Sequence, residues 1–190
     1  LLVPKYASDI KEGAMIKEYY NSEKNHDVLI LGDCEVYENI STVTMWENYG
    51  ISSYIRGSAE QLIWQSYYLL EDTLKYEKPQ VVIVNVLAMT ESDAKNEAYN
   101  RMTLDGMKLS KYKIASIKES MTEEENMTSY IFPLLRYHSR WSELSSEDFR
   151  YMWKTPSVTT NGYLMQKGVR PVKTIPKAAP LANYTFSDRN

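Results

Sequence analysis

Apolar residues along this chain fall into short unbroken runs, with helical periodicity between them. Residues 27–31 (DVLIL) are too few for a typical helix and suit a strand buried on both faces. Residues 51–56 predict a second strand that stops at Gly57. Residues 80–86 (QVVIVNV) are the most strand-like stretch, apolar except at Asn85 near the carboxyl end. Between the first two strands, Ser41 suits a helix N-cap and Gly50 a C′ residue, so residues 42–49 predict a short helix. Val43, Trp46 and Tyr49 recur on it at three-residue spacing as an apolar face. Ser58 followed by Gln61 reads as a capping box opening a helix to about residue 76, with Leu62, Ile63, Tyr67, Leu70 and Leu74 as its stripe. Lys78-Pro79 ends it. The order βαβαβ, with right-handed crossovers, predicts an α/β fold: a parallel sheet with helices on both faces, a three-layer αβα sandwich. A flavodoxin-like or other doubly wound sheet shows the same pattern.

The texture changes after the third strand. Residues 90–109 are polar, with Asp105-Gly106 as a turn signal. Ile114, Ile117 and Met121 predict a helix over 110–121, and Glu123-Glu124-Glu125 suits the start of another. That helix runs through Tyr130, Ile131 and Phe132 to Trp141, kinked or restarted at Pro133. Ser145 and Ser146 offer caps for a short helix over 147–153. The chain therefore divides into a βαβαβ part (1–90), a helical insertion (91–154) and an extended proline-containing tail (155–190). Within the tail Asn161-Gly162 is a turn signal, and 162–172 predict a hairpin or an extended arm. The first 25 residues are polar and mixed, with a short helix or extended lead-in over 12–20. No internal repeat is present.

At 190 residues one domain with a sizeable core is the expectation. The 22 basic and 25 acidic residues balance to −3 with no long run of one sign, so no nucleic-acid partner is expected. No stretch reaches the length of a membrane span. The lone cysteine excludes an internal disulfide. The two histidines and one cysteine lie far apart, without zinc-ligand spacing, and no glycine-rich phosphate loop occurs; no metal or cofactor is expected. Sixteen tyrosines and four tryptophans suit core packing or stacking on sugar rings, and their number does not identify a ligand.

The candidate chemistry follows the first strand directly, at Gly32-Asp33-Cys34. A glycine turn and a reactive side chain just past the carboxyl end of a buried strand display a nucleophile at the ligand edge of a parallel sheet. The competing reading makes Cys34 a small buried hydrophobe. Gly32-Asp33-Cys34 resembles the first sequence block of the SGNH/GDSL hydrolase superfamily, Gly-Asp-Ser, with Cys at the nucleophile position. The run from Gly32 to Val86 is similar to the amino-terminal half of extracytoplasmic SGNH-like proteins of Gram-positive bacteria. Distant relatives of these include the D-alanyl-lipoteichoic acid biosynthesis protein and the alginate O-acetylation proteins.

That resemblance implies an SGNH-like fold and an esterase or O-acyl transfer activity on acylated carbohydrate or a cell-wall polymer. It implies a cell-surface location, with a membrane anchor preceding Leu1. Cys34 is then the nucleophile. Gly57 takes the place of the second-block Gly whose N–H serves the oxyanion, though a tight strand-to-helix turn explains it equally. Asn85 stands near the third-block Asn, although the usual Gly-x-Asn-Asp is absent and a plain polar strand end is the rival reading. Asp33 reads as a turn residue, and Glu35 as facing the cleft or capping the next turn.

The family's Asp-x-x-His block has no counterpart in the chain. His26 precedes the first strand, at the opposite end from Cys34. His138 has Arg136, Tyr137, Arg140 and Trp141 as sequence neighbours and reads more simply as a helix-surface residue. The chain is expected to be the amino-terminal portion of a longer SGNH-like protein or a degenerate one. The alternative function is a non-catalytic binding or assembly module; a flavodoxin-like small-ligand domain is a third.

Overall fold

A computed structural model describes Leu2, residues 14–89 and residues 96–150. The whole tail (155–190), with its expected 162–172 hairpin, lies outside the described residues. Three parallel strands form one sheet in the order β2-β1-β3: β1 (Val28–Gly32), β2 (Ser53–Gly57) and β3 (Val81–Val84). Helices cover both faces of the sheet, so the α/β, αβα class holds, with a small and incomplete sheet. Register aligns Gly32 with Gly57, and Leu31 with Val84. The carboxyl ends of all three strands therefore finish abreast.

In chain order α1 (Ala14–Glu18) leads through a 3₁₀ turn to β1, and α2 (Cys34–Asn39) and α3 (Thr42–Tyr49) connect β1 to β2. One face of β1 packs on these connecting segments through Val28, Ile30, Val36, Tyr37 and Ile55. After β2 come α4 (Ile63–Thr73), β3, α5 (Glu97–Leu104), α6 (Lys111–Ser120) and α7 (Met127–Ile131). The other face of β1 joins Leu29 and Leu31 to Leu69, Leu104, Ile117 and Tyr130. The chain then forms α8 (Leu134–Tyr137), a 3₁₀ turn and α9 (Ser146–Arg150).

Helix α3 has the predicted bounds for the predicted reasons. Ser41 accepts from Thr44 N–H at 3.2 Å, and Gly50 closes the helix in the left-handed region at φ 67°. Its predicted apolar face points the other way: Val43, Trp46 and Tyr49 are exposed, and Thr42 and Met45 turn inward.

Helix α4 departs further. The Ser58–Gln61 pair makes a turn, and the helix starts five residues later, because Gln61 is drawn into the core to bond Arg56 O (3.2 Å) and Ser66 Oγ (2.9 Å). The buried side of α4 is Gln65, Ser66, Leu69, Asp72 and Thr73, while Tyr67 and Leu74 are exposed. Polar residues face inward there because partners meet them. Gln65 donates to Asn100 Oδ1 (2.9 Å) and Ser120 Oγ (3.0 Å), and Asn100 donates to Ser120 O (2.9 Å).

Two helices lie where no helix was expected. Asp33 caps α2 by accepting from Glu35 N–H (3.0 Å), and Asn96 caps α5 by accepting from Ala98 N–H (2.9 Å). The helix expected from residue 123 to Trp141, kinked or restarted at Pro133, begins only at Met127 and restarts at that proline: α7 ends at Ile131, Pro133 supplies no N–H to continue it, and α8 and a 3₁₀ turn follow.

Candidate functional site

The turn from β1 into α2 is built by close approach. A Cβ on Gly32 would sit 2.6 Å from Asn85 Cβ and 2.9 Å from Val36 Cγ1, and one on Gly57 would sit 2.9 Å from both Gly32 O and Val36 Cγ2. Both positions therefore exclude any side chain. The missing side chains let the ends of β1, β2 and β3 crowd together under α2. Ser58 N–H then bonds Gly32 O at 3.4 Å, which fastens β2 to the turn.

Cys34 opens α2 and is half-buried. Asp33 is the hub beside it. Its Oδ1 accepts from Glu35 N–H (3.0 Å) and from Asn85 Nδ2 (2.9 Å), while Asn85 Oδ1 accepts from Leu87 N–H (2.8 Å). Asn85 N–H in turn donates to Leu31 O at 2.9 Å. The carboxamide is thus oriented, with one of its two N–H bonds directed at Asp33 and a second available. Asp33 is a helix cap and a clamp on Asn85, a wider role than the turn residue read from sequence. Glu35 is exposed and bonds Asn39 Nδ2 (2.9 Å).

Burial pushes the Cys34 thiol above its ordinary range, and the Asp33, Glu38 and Glu35 carboxylates push in the same direction against the helix-start backbone bond. The thiol is held protonated at neutral pH, so nucleophilic work requires a base. Neither histidine is shown beside it. His26 is buried at the opposite end of β1, with Nδ1 2.8 Å from Glu77 Oε2, and His138 is exposed with Nδ1 2.7 Å from Leu135 O.

No family model, curated protein or solved structure matches the chain.

The arrangement is therefore read on its own chemistry. Among the described residues no group of three or more His, Cys, Asp or Glu side chains is placed to hold a metal, and no helix is long and apolar enough to cross a membrane. What the residues offer is a thiol, an oriented amide and two glycine turns at one sheet edge.

The raised thiol carries an expected result. Alkylation of Cys34 by iodoacetamide should still be accelerating with pH above the ordinary thiol value of about 8.5. Glu38→Gln should move that midpoint downward by removing one of the carboxylates. Peptide mass spectrometry reads both, and with a single cysteine in the chain the signal needs no deconvolution. A midpoint below the ordinary thiol value would contradict this electrostatic reading.

Proposed function

We propose that the chain is part of an SGNH/GDSL-like hydrolase of the bacterial cell surface, acting on acyl esters of polysaccharide through Cys34. The thiolate attacks the ester carbonyl, the alcohol leaves with a proton, and the thioester passes its acyl group to water or to an acceptor hydroxyl. Gly57 N–H and Asn85 Nδ2 are assigned as donors to the oxyanion. The observation that carries the reading is the Asn85–Asp33 hydrogen bond, which ties the end of β3 to the residue preceding Cys34. The resemblance of the Gly32-Asp33-Cys34 stretch to the superfamily's first block supports it. The general base is assigned to a segment other than the described residues.

A second reading is favoured by one observation: burial and three carboxylates hold the thiol protonated. On that reading the chain is a binding or assembly module that keeps the sheet and has no hydrolytic chemistry.

Hydrolysis of a chromogenic aryl acetate by the wild-type full-length protein separates the two, measured beside Cys34→Ala and Cys34→Ser. The enzyme reading expects Cys34→Ala to lose about tenfold or more in rate, equivalent to about 1.4 kcal/mol of barrier, with a labelled acyl group recovered on the Cys34 peptide of the wild type. Equal rates in all three proteins, with no acylated peptide, would leave the module reading standing.

A further inference from the structure

A cavity of about 470 Å³ lies at the amino edge of the sheet, at the other end of β1 from Cys34. Its floor is made where β1 and β2 begin, by His26, Asp27, Ser52 and Ser53, and α3 supplies one wall through Trp46 and Glu47. That floor is fixed by the fold itself. His26 is buried with Nδ1 2.8 Å from Glu77 Oε2, and Asp27 accepts from Ser52 N–H (3.1 Å) and from Gln80 Nε2 (3.3 Å). A preformed hollow of this volume is on the scale of small-molecule sites, which run from about 300 to 1,000 Å³.

Two features of the walls select what fits. Trp46 is 61% exposed, although its neighbour Met45 packs on the core around Ile30 and Ile55. Its indole keeps a large apolar face in water, and a ligand lying on that face would remove the cost. The second feature is charge. Glu23, Asp27 and Glu47 bring three carboxylates to the lining, and among the described residues that line the cavity there is no lysine or arginine. Lys24 follows Glu23 but turns its ammonium onto Tyr19 O and Ser22 O, 4.4 Å from the centre of the Tyr19 ring. The first turn of α3 also reaches the cavity, through Thr42 and Val43; it carries about half a positive charge, which three carboxylates outweigh.

A cleft lined by one sign of charge concentrates ligands of the other, so this lining repels phosphate, sulfate and carboxylate groups. A bare metal ion does not match it, because among the described residues no three carboxylate, imidazole or thiol groups converge as a metal needs. A quaternary ammonium calls for a cage of aromatic rings, and the lining holds a single indole. A primary ammonium suits both features. Its N–H bonds donate to carboxylates while its charge and carbon body lie against the ring.

We propose that this cavity binds a small organic molecule bearing a primary ammonium group, seated between the Trp46 indole and the Glu23 and Glu47 carboxylates. Asp27 contributes its charge from the floor, where both of its oxygens already accept bonds. Amino sugars and alkyl amines share the required chemistry. The site is separate from the Cys34 turn and stands whichever reading of that residue holds.

NMR titration of the isotope-labelled full-length polypeptide tests it, with glucosamine and n-butylammonium as probes and glucose and n-butanol as their uncharged counterparts. The Trp46 indole N–H and the Ser52 and Ser53 amides should shift saturably, while the Asn85 amide stays in place. An ammonium probe should bind about tenfold or more tighter than its counterpart at low salt. Saturation by glucosamine alone assigns an amino sugar, and saturation by butylammonium assigns an alkyl amine; either supports the proposal. Trp46→Ala, and Glu23→Gln with Glu47→Gln, should each weaken binding about tenfold or more. All three positions are exposed, so these variants keep the fold. No shift at Trp46 with either ammonium probe at about 50 mM would overturn the proposal. Equal affinity for the uncharged counterparts, or binding unchanged in both variants, would overturn it as well.

Discussion

Arg56→Ala is expected to lower the unfolding free energy by about 3–5 kcal/mol, enough to leave a domain of this size marginal at room temperature. Arg56 lies on β2 with no solvent exposure, and its guanidinium is the centre of the polar core. Nη1 donates to Thr73 Oγ1 (2.8 Å), to Leu69 O (3.1 Å) and to Asp72 Oδ2 (3.3 Å), while Nη2 donates to Tyr20 OH (3.1 Å). The plane also lies 4.2 Å from the centre of the Tyr19 ring. Truncation removes a packed cation and leaves the Asp72 carboxylate buried with Tyr20 OH (2.6 Å) and Lys75 Nζ (3.3 Å) as remaining partners. The penalty comes from stranding one charge, since a buried pair gains little over apolar residues of the same volume. The double variant Arg56→Met, Asp72→Leu should therefore lose less than Arg56→Ala alone. Urea unfolding followed by circular dichroism measures both. A single-variant loss under about 1 kcal/mol would show that water reaches this network.

That polar core also explains which parts of the fold could be read from the sequence. Strands β1 and β3 were legible because each is a run of aliphatic residues, and α3 because Ser41 and Gly50 punctuate it. Helix α4 was misread on its buried side. Periodicity assumes that apolar residues face inward, whereas Gln65, Asp72 and Thr73 face inward here to meet Asn100, Ser120 and Arg56. Helix α5 was invisible for the same reason, since it buries Asn100, Arg101 and Thr103 beside Leu104. At the candidate site, the positions of Cys34, Gly57 and Asn85 at the strand ends followed from the βαβαβ order. The bond from Asn85 to Asp33 did not, because it depends on the register that sets Leu31 against Val84. Nor did the sequence reading place Glu38 against a thiolate, since Glu38 comes one turn above Cys34 only once residues 34–39 form α2, a helix that was not expected.

Glu18→Gln should stabilise the protein at mildly alkaline pH and flatten its pH dependence. Glu18 ends α1, and burial raises its carboxyl from 4.5 to about 9; its Oε2 is buried without a hydrogen-bond partner. The folded chain keeps the proton until about pH 9, and the unfolded chain releases it near 4.5. Between those values unfolding releases a proton, so stability falls as pH rises, by at most about 1.4 kcal/mol per unit. From about pH 5 to about pH 8 the ceiling is about 4 kcal/mol, and partial exposure of the side chain reduces the expected loss to about 2 kcal/mol. Below the unfolded value both states are protonated and the cost vanishes. Glutamine has the shape of the protonated carboxyl and cannot ionise, so the variant should match the wild type near about pH 4 and exceed it by about 2 kcal/mol near about pH 8. Thermal unfolding across that range gives the sign directly. A variant no more stable than the wild type at about pH 8 would mean that Glu18 is ionised in the folded state, with a cation at Oε2. The polar side of α1 would then be held by an ion pair, and burial would not be what sets its charge.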